Sequence, residues 1–81
     1  MKMKRPPVPP GSTAMLRALK DALSGHPTPT LVYCATVAEL WTREAIRQEG
    51  LWAKNDNAAW ERACAARGHA YEWREYGRMK P

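Results

Sequence analysis

Thr30-Leu31-Val32-Tyr33-Cys34-Ala35-Thr36-Val37-Ala38-Glu39 admits two backbone readings, and the choice between them sets the fold class. In the first, Thr30 to Cys34 is a buried strand, because β-branched and aromatic side chains crowd there. Thr36 and Glu39 then form a capping box that opens a helix ending at Gly50. In the second, Thr30 caps a single helix of about twenty residues, with Leu31, Cys34, Ala38, Trp41 and Ala45 at three-four spacing. A β-branched run placed just before a good cap favours strand then helix.

Upstream, Pro27 and Pro29 make His26 to Pro29 a loop. Before that, Ser12 or Thr13 caps a helix reaching about Ser24. Met15, Leu16, Leu19, Ala22 and Leu23 share its apolar stripe, and Gly25 stops it. Met1 to Gly11 holds four prolines, so it is extended and mobile unless a partner holds it. Downstream, Leu51 to Lys54 reads as a short extended piece. Asn55, Asp56 and Asn57 offer caps for a helix that runs to about Arg67 and stops at Gly68, with Trp60, Ala63 and Cys64 inward and Glu61, Arg62 and Arg67 in water. Ala70 to Tyr76 alternates, placing Tyr71 and Trp73 on one face and Glu72 and Arg74 on the other, as a second strand would. The expected architecture is α+β: about three helices with one or two short strands, and an all-helical bundle as the alternative. Residues 1–11 form a basic proline-rich arm, 12–77 one domain, and 78–81 a basic tail.

A chain of 81 residues buries only about 60–65% of its unfolded surface, so its stability margin is thin. It has four tryptophans and no phenylalanine, which makes the indoles the natural core, Trp41 and Trp60 first because each shares a helical stripe with small or apolar neighbours. The longest apolar run, Leu31 to Ala35, is far short of the roughly 20 residues a spanning helix needs. Pro6, Pro7, Pro9 and Pro10 stand where a signal peptide would place its apolar stretch, so the cytoplasm is the expected compartment. Cys34 and Cys64 are then expected to be buried, reduced thiols.

The formal charge is +5, but residues 12–77 balance. The surplus lies at Lys2, Lys4, Arg5, Arg78 and Lys80, which is weaker evidence for a groove-reading protein than one basic helix would be. Cys34, Cys64, His26 and His69 form no CxxC or HxxxH pair, so no metal or cofactor is expected. Ser12, Thr13 and Thr36 read as caps rather than nucleophiles, and there is no GxSxG elbow or phosphate loop. Thr36 to Leu40 resembles the opening of a helix-turn-helix, but the helical pattern runs on where the tight turn should fall.

Two segments suit recognition. The arm carries PxxP at Pro6–Pro9 and at Pro7–Pro10 beside Arg5, the shape aromatic grooves bind. In a carboxy-terminal strand, Arg74, Tyr76 and Arg78 would share an outward face opposite Tyr71 and Trp73. With Trp52 and Arg5 they are the candidate partner-binding residues. The expectation is a small non-enzymatic protein that binds, and modulates or inhibits, a larger protein through an aromatic and arginine surface. The alternative is a nucleic-acid accessory protein whose basic ends hold phosphates.

Overall fold

The computed structural model describes residues 4–79. Every regular element among them is a helix: α1 (Thr13–Ala22), α2 (Pro29–Ala53) and α3 (Ala58–Met79). The α+β expectation is overturned and the all-helical alternative is the one that fits. Lys2, Lys80 and Pro81, part of the expected arm and tail, lie outside the described residues.

The first expected strand is the opening of α2. Pro29 stands in its first turn, where the missing N–H would have had no helical partner and the fixed φ suits the helix. Thr36 is therefore mid-helix rather than a cap, and its Oγ1 donates to the Val32 carbonyl at 2.8 Å, the back-bond a helical threonine makes. Nor does α2 stop at Gly50 or give way to an extended Leu51–Lys54 piece. Asn55 stops it, at φ 76, with its own N–H on the Trp52 carbonyl at 2.9 Å and that of Asp56 on the Leu51 carbonyl at 3.1 Å. This pair of bonds satisfies the last carbonyls of the helix, so Asn55 ends α2 instead of starting α3.

The second expected strand is the end of α3, which passes straight through Gly68. A mid-helix glycine costs about 1 kcal/mol against alanine. What outweighs it is a seam: Ala59, Ala63, Ala66, Ala70, Trp73 and Gly77 are all buried, at alternating four- and three-residue steps. On α2 the same steps connect buried Cys34, Ala38, Trp41, Ala45 and Gln48. Two such seams make an antiparallel hairpin with coiled-coil spacing, and small residues let the axes approach closely. The register is pinned where Cys34 meets Gly77, since a Cβ at 77 would sit 2.9 Å from the Cys34 Cβ. Tyr71, expected inward beside Trp73, is 65% exposed, because a helix turns consecutive odd positions to different sides.

Gln48 is the polar member of the seam. Its Nε2 donates to Glu44 Oε1 at 2.8 Å, and its Oε1 accepts from Arg62 Nε at 2.8 Å. Arg62 continues to Asp56 Oδ2 at 2.7 Å. A buried amide satisfied at both ends resists slippage of one helix past the other, because a shifted register would leave it unpaired. Arg67 on α3 pairs with Glu49 on α2 and supports the same register from outside.

Helix α1 rests on the hairpin through Leu16, with Leu19 packed against the same core. α1 ends at Ala22 with Leu23 as its C-cap, short of the expected Ser24, and Gly25 at φ +85 closes the turn that follows, in a conformation that disfavours side chains. Ser12 occupies the N-cap position without a side-chain cap bond; its hydroxyl instead donates to the Pro9 carbonyl at 2.6 Å. Trp41 and Cys34 are buried, but Trp60 is 51% exposed and Cys64 is exposed as well. Both fall beside the α3 seam rather than on it. No described helix is long and apolar enough to cross a membrane.

Candidate functional site

The proline arm lies on the hairpin. Pro6 and Pro9 are buried, and Val8 packs against the core. The Pro7 carbonyl accepts two indole N–H groups, from Trp41 Nε1 at 2.9 Å and from Trp73 Nε1 at 2.7 Å. One carbonyl oxygen has two lone pairs, and here each serves a tryptophan, one from either helix. This bond pair meets the demand of both buried N–H groups, which would otherwise cost about 1–3 kcal/mol each. The arm therefore has a place on its own domain that sequence reasoning did not supply.

Arg5 stands at the start of this contact. Its Nη2 donates to the Tyr33 hydroxyl at 3.1 Å, and its guanidinium lies 5.8 Å from the Tyr33 ring centre and 5.7 Å from that of Trp73. A cation over ring faces is held by their negative quadrupole. Tyr33 and Tyr76 both meet Trp73 edge-on, with centroids 6.1 and 5.6 Å apart. Together with Lys20 and Asp21 of α1 these residues line an open groove of about 700 Å³. Cys34 lies at its base. Burial pushes that thiol's pKa up, and the nearby Arg5 charge opposes the rise.

A second aromatic concentration occupies the opposite end of the hairpin. Trp52 near the end of α2 and Trp60 near the start of α3 are 48% and 51% exposed, and their rings lie 5.2 Å apart. The ion pairs Arg62–Asp56 and Arg67–Glu49 lie near them in sequence. Trp41 has a different neighbour, the His69 ring at 4.7 Å, and His69 Nδ1 is 2.8 Å from Glu72 Oε1.

The candidate residues named from sequence are thus divided. Arg5 and Tyr76 meet at the groove, whereas Trp52 is at the far tip. Arg74 and Arg78 are exposed on α3, where Arg78 is 3.4 Å from Glu75. Tyr76 does not share their face. Two helical steps place it about 160° round the axis from either arginine, half-buried against Trp73. Tyr71 takes the outer position instead. Sequence reasoning missed Tyr33, the Pro7 carbonyl and the pairing of Trp60 with Trp52. The third was recoverable, because the four-three spacing of Ala59, Ala63, Ala66 and Ala70 leaves Trp60 off the seam.

Among the described residues, no three His, Cys, Asp or Glu side chains gather into a metal-binding set. No known protein family, curated protein or solved structure matches this chain.

Proposed function

We propose that this chain is a non-enzymatic binding protein that grips a larger protein at the α2–α3 turn. One observation carries the reading: the fold places alanine on the seam at 59 and leaves Trp52 and Trp60 roughly half exposed, ring against ring, beyond it. Adjacent exposed tryptophans are the composition of an interface centre, since each ring brings large apolar area with little side-chain entropy to lose. The arginine–carboxylate pairs of the tip supply a polar rim. Such a grip on an essential surface of the partner would modulate or inhibit it.

The test compares wild type with the Trp52→Ala/Trp60→Ala variant, each tagged and used to isolate partners from host extract with and without nuclease. The variant is expected to keep the helical signal and lose the partner. Recovery of the same partner at the same yield would reject the tip as the binding surface.

A second reading has an observation of its own. Arg5 lies over the Trp73 ring, and Arg74 and Arg78 are exposed on the same stretch of α3, so described cations from both ends of the chain belong to one end of the hairpin. Nucleic-acid binding by that end would weaken steeply between about 50 and 200 mM salt, whereas a tryptophan-centred protein contact would not. Loss of the captured partner on nuclease treatment would favour this reading over the first.

A further inference from the structure

We propose that the crevice floored by Trp41 and Trp73, with Tyr33 beside it, is a receptor for a basic polyproline segment of a partner protein, and that the chain's own arm is its resident occupant. The proposal concerns the end of the hairpin away from Trp52 and Trp60 and does not depend on the reading of that tip.

The occupant's shape follows from covalent chemistry. Proline rings fix φ at positions 6, 7, 9 and 10, and Arg5, Pro6, Val8 and Pro9 each precede a proline, which excludes helical geometry from them. The segment is therefore extended before it docks and loses little backbone entropy on docking. Besides the packing of Val8 against the core, three contacts distinguish this sequence. The Arg5 cation lies over Tyr33 and Trp73, the Pro6 and Pro9 rings are buried, and the intervening Pro7 carbonyl takes both indole N–H groups. The pattern read is Arg-Pro-Pro-x-Pro, with the cation two residues before the acceptor carbonyl.

This recognition comes from the hairpin side. Trp41 and Trp73 are placed by the seam, with Ala38, Ala45, Ala66 and Ala70 buried around them, so the two donors converge because the helices pair, whether or not the arm is present. The described arm makes one backbone–backbone hydrogen bond, within its own turn, from Ser12 N–H to the Pro9 carbonyl at 3.3 Å. Nothing that holds residues 5–8 depends on their covalent link to α1. A partner segment with the same cation, rings and carbonyl meets the same groups, and aromatic grooves that donate to polyproline carbonyls are a general recognition mode. The resident arm sets the threshold, because only the fraction of molecules with the arm lifted is competent to bind.

The experiment uses the full chain labelled with ¹⁵N and the synthetic peptide Lys-Arg-Pro-Pro-Val-Pro-Pro. Wild type is compared with the full-chain variant Arg5→Glu/Pro6→Ser, which weakens the resident arm and leaves the Pro9–Ser12 turn intact. The four indole N–H resonances report position. The peptide is expected to bind the variant about tenfold or more tightly than wild type, as removal of a resident competitor requires. It should shift the signals of Trp41 and Trp73 and leave those of Trp52 and Trp60 in place. A peptide with glutamate for arginine should bind at least about tenfold more weakly, given the charge placed against the rings.

The proposal is overturned by no shift in the variant at about 1 mM peptide, the effective concentration of a short tether, or by equal affinity for both proteins. A response confined to Trp52 and Trp60 also overturns it, and leaves the tip reading standing. Concentration-dependent dimerisation of wild type that the variant loses would assign the crevice to a second copy's arm and likewise overturn the partner claim. If the double variant loses its helical signal, Arg5→Ala at that exposed position carries the same comparison, with about threefold tighter peptide binding expected.

Discussion

Trp41 and Trp73 form one pair of indoles and Trp52 and Trp60 another, on the same two helices, yet the pairs do opposite things. The first pair is buried and spends both N–H groups on one carbonyl. The second is half exposed and its rings lean on each other. Residue type does not explain the contrast; phase and position do. Trp41 and Trp73 occupy seam positions with helix on both sides. Trp60 is one residue past the seam alanine at 59, and Trp52 lies in the last turn of α2, where the hairpin ends and little covers it. Hydrophobicity thus fixes how much an indole gains from burial, while the three-four register decides whether burial is on offer.

The sharpest way to break this comparison is to truncate one ring from each pair. Trp73→Ala should cost about 3–5 kcal/mol, the range for a fully buried large ring, enough to unfold a domain of this size. Trp60→Ala should cost under about 1 kcal/mol, as substitutions away from the core do. Urea denaturation followed by helical circular dichroism measures both, and equal losses would end the distinction between the pairs.

The next effect tests the seam that creates the distinction. Gly77→Ala adds a Cβ that would lie 2.9 Å from the Cys34 Cβ, closer than the hairpin allows without shifting. Overpacking of this kind costs about 1–3 kcal/mol. Alanine is the better helix former, so propensity alone predicts a gain of up to about 1 kcal/mol. The sign of the change in melting temperature separates the two accounts, and a stabilised variant would mean that the helices do not approach so closely there.

The smallest effect concerns the polar network that holds the register. The Arg47 guanidinium bonded to Glu44 holds its carboxyl below the ordinary value near 4.5, with the Gln48 amide assisting and burial opposing. A depressed folded value means that the contribution is complete above about 4.5 and is lost as pH falls through the depressed range. Glu44→Gln should therefore melt slightly below wild type at neutral pH, and the gap should close as pH falls through the depressed range. A gap that persists in acid would show that the carboxylate charge is not what the network uses.

Much of the fold was legible, but not its class. The Leu16, Leu19 and Leu23 stripe and Gly25 mark α1 in the sequence, and Cys34, Ala38, Trp41 and Ala45 carry the helical period of α2. The strand reading of 30–34 failed because β-branched residues are a weak preference that packing overrides, and Pro29 as a helix opener was taken for loop. The strand reading of 70–76 failed for a different reason. Over so few residues Glu72-Trp73-Arg74 satisfies a period of two as well as 3.6, and only the longer register back to Ala59 tells them apart. Gly68 was read as a stop where α3 accommodates it on the exposed side. The candidate site was less legible still. Arg5 and Trp52 were named, but the arm was left without a seat, because a backbone carbonyl has no signature in sequence and the Pro7 oxygen is the group that joins Trp41 to Trp73.

The two bonds on that oxygen have a kinetic meaning. The α2–α3 seam closes through a turn of a few residues around Asn55, a local event with a low entropic cost. The contacts of Pro7 with Trp41 and Trp73 span 34 and 66 residues, so they gain most once the hairpin has brought the indoles together. The order of loop closures predicts assembly from the tryptophan tip toward the tyrosine groove, with indole N–H exchange faster at Trp41 and Trp73 than global unfolding allows. On that prediction the proline end unlatches first, while the end that displays Trp52 and Trp60 stays folded.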